Sequence, residues 1–259
     1  MPTITQLLHR RTDLSTFLVH LTRSYGGSTA RANLLSILKS LRIEARSKFG
    51  PAGGLGNLDP DSQKAVCFTE TPLEHTWTIL EELENPRRQV ELDAYGLVIT
   101  KTTARRAGCN PVWYTDMTPG TGRDWLVKSV NDLIEQAREV ATSDEGVFDA
   151  AAFAQNPIFK LTPFFEQMGK PRDILKEFWW EREWRHAGDF PLSFPGRVVA
   201  ILAPADDHDA LRAEIGALDW VGAQWVARPL LDPRWGLERM IVALAGIEAT
   251  EIGPFPSHG

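Results

Sequence analysis

Cysteine is nearly absent. Cys67 and Cys109 stand apart, in or beside apolar runs, and the sequence has no C-x-x-C pair. That removes cysteine-based metal cages, leaves a single disulfide open without supporting it, and fits a reducing compartment. Long apolar runs are missing as well. The longest, "VVAILAPA" and "MIVALAGI", fall far short of the ~20 residues a bilayer-crossing helix needs. The first residues also lack the apolar core of a secretion signal. Together these absences predict a soluble cytoplasmic protein with no membrane partner. No G-x-S-x-G elbow and no H-E-x-x-H helix occurs, and His75, His186 and His208 lack a Cys or His partner at ligand spacing. No metal is expected. Asp206, Asp207, His208 and Asp209 are consecutive and point in different directions, so helix capping explains them better than a metal does. An excess of positive charge is lacking too. The net charge of −6 argues against gripping duplex nucleic acid by bulk electrostatics, while leaving room for a local basic groove.

What is present reads as a globular fold. A chain of 259 residues with 43% hydrophobic and 24% charged residues can bury a full core. The reading is a single domain over residues 1–259 with a helical insertion at about 120–175, and no internal repeat. "STFLVHLT" reads as a strand. In "STARANLLSILKSL", Leu34, Ile37, Leu38 and Leu41 follow helical spacing, with Ser28 or Thr29 as cap. "FGPAGGLGNLDPDSQ" has loop composition, and its glycines are not read as following a strand, so it is neither a Walker loop nor a dinucleotide fingerprint. "KAVCFTE", "AYGLVITK", "PVWYTD" and "GRVVAILAP" read as strands, with "AQWVARPL" as a late one. "PLEHTWTILEELE", "DWLVKSVNDLIEQAREVA" and "DDHDALRAEIGAL" read as helices, the last capped by Asp206 or Asp207. "NPIFKLTPFFEQMG" reads as an aromatic-rich connection. Strands and helices mix without strict alternation, which predicts an α+β fold.

The segment Lys176 to Phe190, "KEFWWEREWRHAGDF", is the most unusual. It holds three tryptophans, four carboxylates, three cations and a histidine. The spacing of Glu181 and Glu183 predicts a strand, because side chains at i and i+2 share a face. Trp180, Arg182 and Trp184 then face the other way. On a helix the two acids lie about 200° apart and share no site. Paired carboxylates suit general acid–base work, although a solvated ion cluster with Arg185 is the commoner outcome for surface charges. Two further positions place polar groups on strands: His20 in "LVHLT" and Thr69–Thr71 in "FTET". A strand histidine usually makes a structural hydrogen bond, and a threonine-rich strand end usually caps a helix.

The order of "HLT", "NLLSILKSL", "AVCFTETPL", "YGLVITKTTARRAGCNPVWYTD" and "EREWR" resembles the AbiGi-type phage-resistance proteins. More distantly it resembles the DarT-type ADP-ribosyltransferases that modify nucleic acid. The likeness runs from about Phe17 to Gly188. It implies an ADP-ribosyltransferase-like split β-sheet with flanking helices, holding NAD in a cleft. By that resemblance His20 binds the ribose or adenosine part of NAD, Thr22 and Asn33 support the pocket, and Phe68 with Thr69 lines the nicotinamide side. Glu183 is then the catalytic glutamate, Glu181 orients or deprotonates the acceptor, and Arg46 is the arginine after the first helix. The "AVCFTET" strand carries no tyrosine where many relatives stack one; Phe68 stands in its place.

Breaking the bond between nicotinamide and ribose creates an oxocarbenium-like centre, which a fixed carboxylate stabilises more in the transition state than in the ground state. The resulting expectation is an NAD-using toxin of phage defence, restrained by a cognate antitoxin. Its acceptor is a nucleic acid, single-stranded DNA or RNA rather than duplex. Arg42, Arg46, Lys48, Arg105 and Arg106 are candidate acceptor-facing cations. The alternatives are a non-catalytic antitoxin or partner-binding protein, an NAD hydrolase, and a metal-dependent nuclease using the two acids.

Overall fold

The computed structural model describes residues 14–54, 63–81, 92–120, 122–170, 175–177, 179–192 and 197–247. Its strands, in chain order, are β1 (Phe17–Leu21), β2 (Arg42–Ile43), β3 (Ser47–Lys48), β4 (Lys64–Phe68), β5 (Gly96–Thr100) and β6 (Asn110–Pro111). They continue as β7 (Trp113–Asp116), β8 (Phe165–Met168), β9 (Trp184–Ala187), β10 (Phe190–Pro191), β11 (Val198–Leu202) and β12 (Leu230–Leu231). The fold mixes several small sheets with flanking helices. The chain divides into two compact units: Met1–Arg42, Phe68–Ala104 and Pro191–Gly259 in the first, Ile43–Cys67 and Arg105–Phe190 in the second.

In the first unit the sheet order is β1-β5-β11-β12. β5 runs antiparallel to both neighbours, and β12 lies parallel to β11. β5 reads "GLVIT" without polar alternation because both its faces are covered. Val19, Leu21, Val98, Ala200, Leu202 and Leu231 pack on one side with Leu73, Ile79 and Met240. Leu18, Leu97, Ile99 and Ile201, pointing the other way, have 0% exposure. Each such side chain contributes roughly 1.5–3 kcal/mol of transfer free energy. Gly96 is required where β5 meets β1, since a Cβ there would stand 2.3 Å from the His20 carbonyl oxygen.

The helix Ala30–Ser40 follows its apolar spacing: Ala30, Leu34 and Leu38 are buried, and the Thr29 hydroxyl accepts from the Ala32 N–H at 3.1 Å. At its far end the buried Trp225 indole donates to the Leu38 carbonyl at 2.9 Å. That contact corrects the reading of "AQWVARPL" as one strand. Gly222–Val226 is a helix that carries Trp225 inward, and only Leu230–Leu231 is strand. Asp207 does precede the helix His208–Gly216, but its side chain makes no capping bond. Instead it accepts from Arg31 Nε at 2.7 Å and Tyr95 Oη at 3.1 Å.

In the second unit β3, β4, β9 and β6 form a sheet in that order, and β7 pairs with β8 in parallel. The helix Trp125–Val140 buries Val127, Val130, Ile134 and Ala137 on one face. A core of Ala52, Phe153, Phe159 and Phe165 packs there with Val130, Ile134 and Ala137. Within "FGPAGGLGNLDPDSQ", Pro51–Gly54 forms a 3₁₀ turn that places Ala52 in this core, and residues 55–62 lie outside the described part. "NPIFKLTPFFEQMG" is not a mere connection. Asn156 caps a short helix, Pro157–Leu161, with Ile158 N–H to its side-chain oxygen at 3.0 Å, and Phe165–Met168 becomes β8. Two short elements separated by Pro163 leave no long periodic pattern to read.

Candidate functional site

Glu181 and Glu183 do not share a strand face. Trp179–Glu181 forms a 3₁₀ turn, Arg182 adopts a left-handed conformation at φ +45°, and β9 starts only at Trp184. The left-handed residue between the acids destroys the alternation that an extended chain would impose.

The same i, i+2 logic holds one step later, between Glu183 and Arg185. The Arg185 guanidinium donates from Nε to Glu183 Oε1 at 2.9 Å and from Nη2 to Oε2 at 2.8 Å. The pair is bidentate, the geometry that suits a planar fork and a carboxylate best. The Arg185 side chain is 1% exposed and that of Glu183 is 13% exposed. The backbone of Glu183 is fixed on both sides. Its N–H donates to the Tyr114 hydroxyl oxygen at 2.7 Å, and its carbonyl accepts from Val112 N–H at 2.8 Å. β7 supplies Tyr114, while the segment between β6 and β7 supplies Val112.

Arg185 holds more than Glu183. Its Nη2 also donates to Glu166 Oε2 on β8, and Nη1 donates to the Pro163 carbonyl at 2.7 Å. The ring of Phe49 lies 4.0 Å from the guanidinium carbon. Lys176 Nζ binds the other oxygen of Glu166. Two cations thus face two carboxylates.

The titration behaviour follows from this packing. Burial alone would raise the Glu166 carboxyl, but Arg185 and then Lys176 outweigh it and hold it below the ordinary carboxylate value. Burial alone would lower Arg185, and Glu183 leads the opposing charges that raise it instead, so the guanidinium stays charged. Burial pushes the Cys67 thiol up, Glu183 pushes the same way, and Arg185 opposes. Cys67 therefore contributes a protonated thiol beside the pair, not a thiolate nucleophile. Burial is also the main cause that raises the Tyr114 hydroxyl, which remains a neutral phenol.

Arg46 pairs with Glu44 at 3.1 Å, with both side chains a third or more accessible. An ion pair so open to water contributes at most ~1 kcal/mol.

The candidates for contact with NAD lie in the first unit, whereas Lys48, Arg105 and Arg106 belong to the second. Val19 and Thr69 exchange backbone hydrogen bonds at 2.9 and 2.8 Å, which sets His20 opposite Phe68. Their rings are 5.7 Å apart and tilted by 58°. His20 is partly exposed, whereas Phe68 is 1% exposed and belongs to the core. The Thr69 hydroxyl meets that of Thr71 at 2.8 Å and accepts from the Thr71 N–H at 3.2 Å, shaping the turn after β4. Thr22 donates to the carbonyls of Ala30 at 2.9 Å and Tyr95 at 3.1 Å. Asn33 donates to the Arg23 carbonyl at 2.7 Å. Both fasten the turn between β1 and the first helix, a supporting role.

Sequence reasoning passed over Arg185 as a central group, and over Glu166, Lys176, Tyr114, Cys67, Glu70 and Lys101. Glu70 is buried and pairs with Lys101 Nζ at 2.6 Å. The E-x-R spacing of Glu183 and Arg185 was the one local signal available, since Glu166 lies 19 residues away in the chain. Among the described residues no group of three or more His, Cys, Asp or Glu side chains is placed to hold a metal ion. No helix among them is long and apolar enough to cross a membrane. No family model, curated protein or solved structure matches the chain.

Proposed function

We propose that this chain is an NAD-dependent ADP-ribosyltransferase with Glu183 as its catalytic carboxylate. The observation that carries the reading is the grip of buried Arg185 on Glu183, which presents a carboxylate in one fixed orientation with part of its surface accessible. A fixed anion of this kind suits a reaction whose transition state gains positive charge, because no dipole has to reorganise as the charge appears. In the proposed step the bond between the ribose anomeric carbon and the nicotinamide nitrogen breaks, and its electron pair leaves with nicotinamide. The acceptor nucleophile bonds to the anomeric carbon and gives up its proton, with Glu181 as the proposed base. His20 is the proposed contact to NAD, with Thr69 beside it. Phe68 supports His20 from the core, a smaller part than the nicotinamide lining expected of it.

The proposed acceptor is a nucleic acid, single-stranded DNA or RNA. The proposed setting is phage defence, with the activity restrained by a cognate antitoxin. A split-sheet transferase architecture belongs to the same proposal.

A second reading is a non-catalytic partner-binding protein. It is favoured by the engagement of both Glu183 carboxylate oxygens with Arg185. One experiment separates the two. Purified protein is incubated with NAD labelled on its adenylate and with whole-cell extract, comparing wild type with Glu183→Gln, and the products are treated with protease, DNase or RNase. Label carried into a macromolecule by wild type, and reduced ~10²–10³-fold in Glu183→Gln, supports the transferase, and the enzyme that removes the label names the acceptor. NAD left intact by wild type favours the binding protein, and free ADP-ribose without labelled product makes the chain a hydrolase.

A further inference from the structure

We infer that Glu166 is the acid that works with Glu183, as a positioning residue acting through Arg185. The inference rests on the proposed transferase reading and deepens it. A pair of carboxylates was expected from Glu181 and Glu183, neighbours in the chain. The pair that the fold assembles comes from Glu166 on β8 and Glu183 ahead of β9, and both accept from the same nitrogen, Nη2 of Arg185.

Four groups immobilise that guanidinium. Glu183 takes Nε and one N–H of Nη2, Glu166 takes the other N–H of Nη2, Pro163 takes Nη1, and the Phe49 ring lies 4.0 Å from the central carbon. A bidentate carboxylate lies in line with the fork that holds it, so whatever fixes the guanidinium also fixes Glu183. Glu166 is in turn tied at its second oxygen by Lys176, whose side chain is 40% exposed. The order of command runs from Lys176 to Glu166, to Arg185, and then to the accessible edge of Glu183. A catalytic carboxylate must hold its orientation closely, since a displacement of about 1 Å costs up to ~100-fold in rate. Glu166 needs no contact with substrate to matter.

The test measures nicotinamide release from NAD by the full chain, for wild type, Glu166→Gln, Glu183→Gln and the double variant. Glu166→Gln keeps the shape of the side chain and an oxygen for Arg185 but gives up the charge. The expected result is a kcat lowered ~10- to ~100-fold with KM for NAD unchanged. The double variant falls no further than Glu183→Gln alone, because Glu166 acts only through Glu183. A wild-type kcat in Glu166→Gln overturns the inference. So does an equal further loss in the double variant, which would mark a general structural role. If Glu166→Gln lowers the thermal midpoint enough to confuse the reading, Lys176→Met replaces it. That change removes the outer member of the chain at a half-exposed site, and a lower kcat at unchanged KM is again expected, whereas an unchanged kcat overturns the inference. Wild type that cleaves no NAD sinks the transferase reading itself and this role with it, an outcome distinct from active wild type with unaffected variants.

Discussion

The Arg185 guanidinium binds the Glu183 carboxylate through two parallel hydrogen bonds, 2.9 Å from Nε and 2.8 Å from Nη2, and does so while itself 1% exposed. A charge taken so far out of water is tolerated only when its donors are met. Arg185 meets that condition with two carboxylates, a backbone carbonyl and an aromatic face. The coupling has consequences for stability that can be measured apart from any activity.

Arg185→Met leaves Glu166 and Glu183 side by side without their shared cation. The expected cost is ~3–5 kcal/mol in urea-induced unfolding. Adding Glu166→Gln and Glu183→Gln to that variant recovers part of the loss, because the stranded charges are removed with it. A triple variant less stable than Arg185→Met alone would show that the carboxylates find other partners.

Acid should act on the same cluster through Glu166. In the unfolded chain a glutamate titrates near ~4.3, and in the fold Glu166 titrates lower because Arg185 and Lys176 outweigh the effect of burial. The folded state therefore binds fewer protons there than the unfolded state does. The stability that Glu166 contributes is complete above ~4.3 and is lost as pH falls through the folded value. The stability gap between wild type and Glu166→Gln should narrow below that pH in denaturant titrations. A gap that stays constant down to acid unfolding contradicts the ion pairing.

Gly50 and Gly108 both have positive φ, +76° and +98°, but differ in surroundings. A Cβ on Gly50 would stand 1.7 Å from the Thr162 carbonyl oxygen, while on Gly108 it meets nothing within 4 Å. Gly108→Ala should therefore cost only the left-handed conformation, ~1–2 kcal/mol. Gly50→Ala should cost clearly more, since backbone must move. Thermal unfolding of the two variants side by side reads the difference, and equal shifts would refute the close approach.

Trp225→Phe keeps most of the ring volume and deletes the indole N–H that the Leu38 carbonyl accepts at 2.9 Å. Loss of a buried partner of this kind costs ~1–3 kcal/mol. A change under ~0.5 kcal/mol, the level of an ordinary surface substitution, would mean that water reaches the carbonyl.

The parts of the fold legible in the sequence are those whose pattern is local. Leu34 and Leu38 at helical spacing, the Thr29 cap, and the unbroken apolar run of β5 each follow from a few neighbouring residues, and the structure places them as expected. The misread parts depend on distant partners. "AQWVARPL" looks strand-like until Trp225 finds the end of a helix 187 residues away in the chain. β8 exists because β7 pairs with it in parallel across a long separation.

The candidate site divides in the same way. The sequence by itself was enough to single out the charge-rich segment around Glu183, because so many aromatics and charges in fifteen residues suit neither an ordinary surface helix nor an ordinary core. Tertiary structure decided which acids pair. A left-handed Arg182 separates Glu181 from Glu183, and a buried arginine joins Glu183 to Glu166 instead. The physical reason is desolvation: once Arg185 is carried out of water by β9, its charge must be met by whatever carboxylates the packing brings within reach, and chain spacing does not specify which those are.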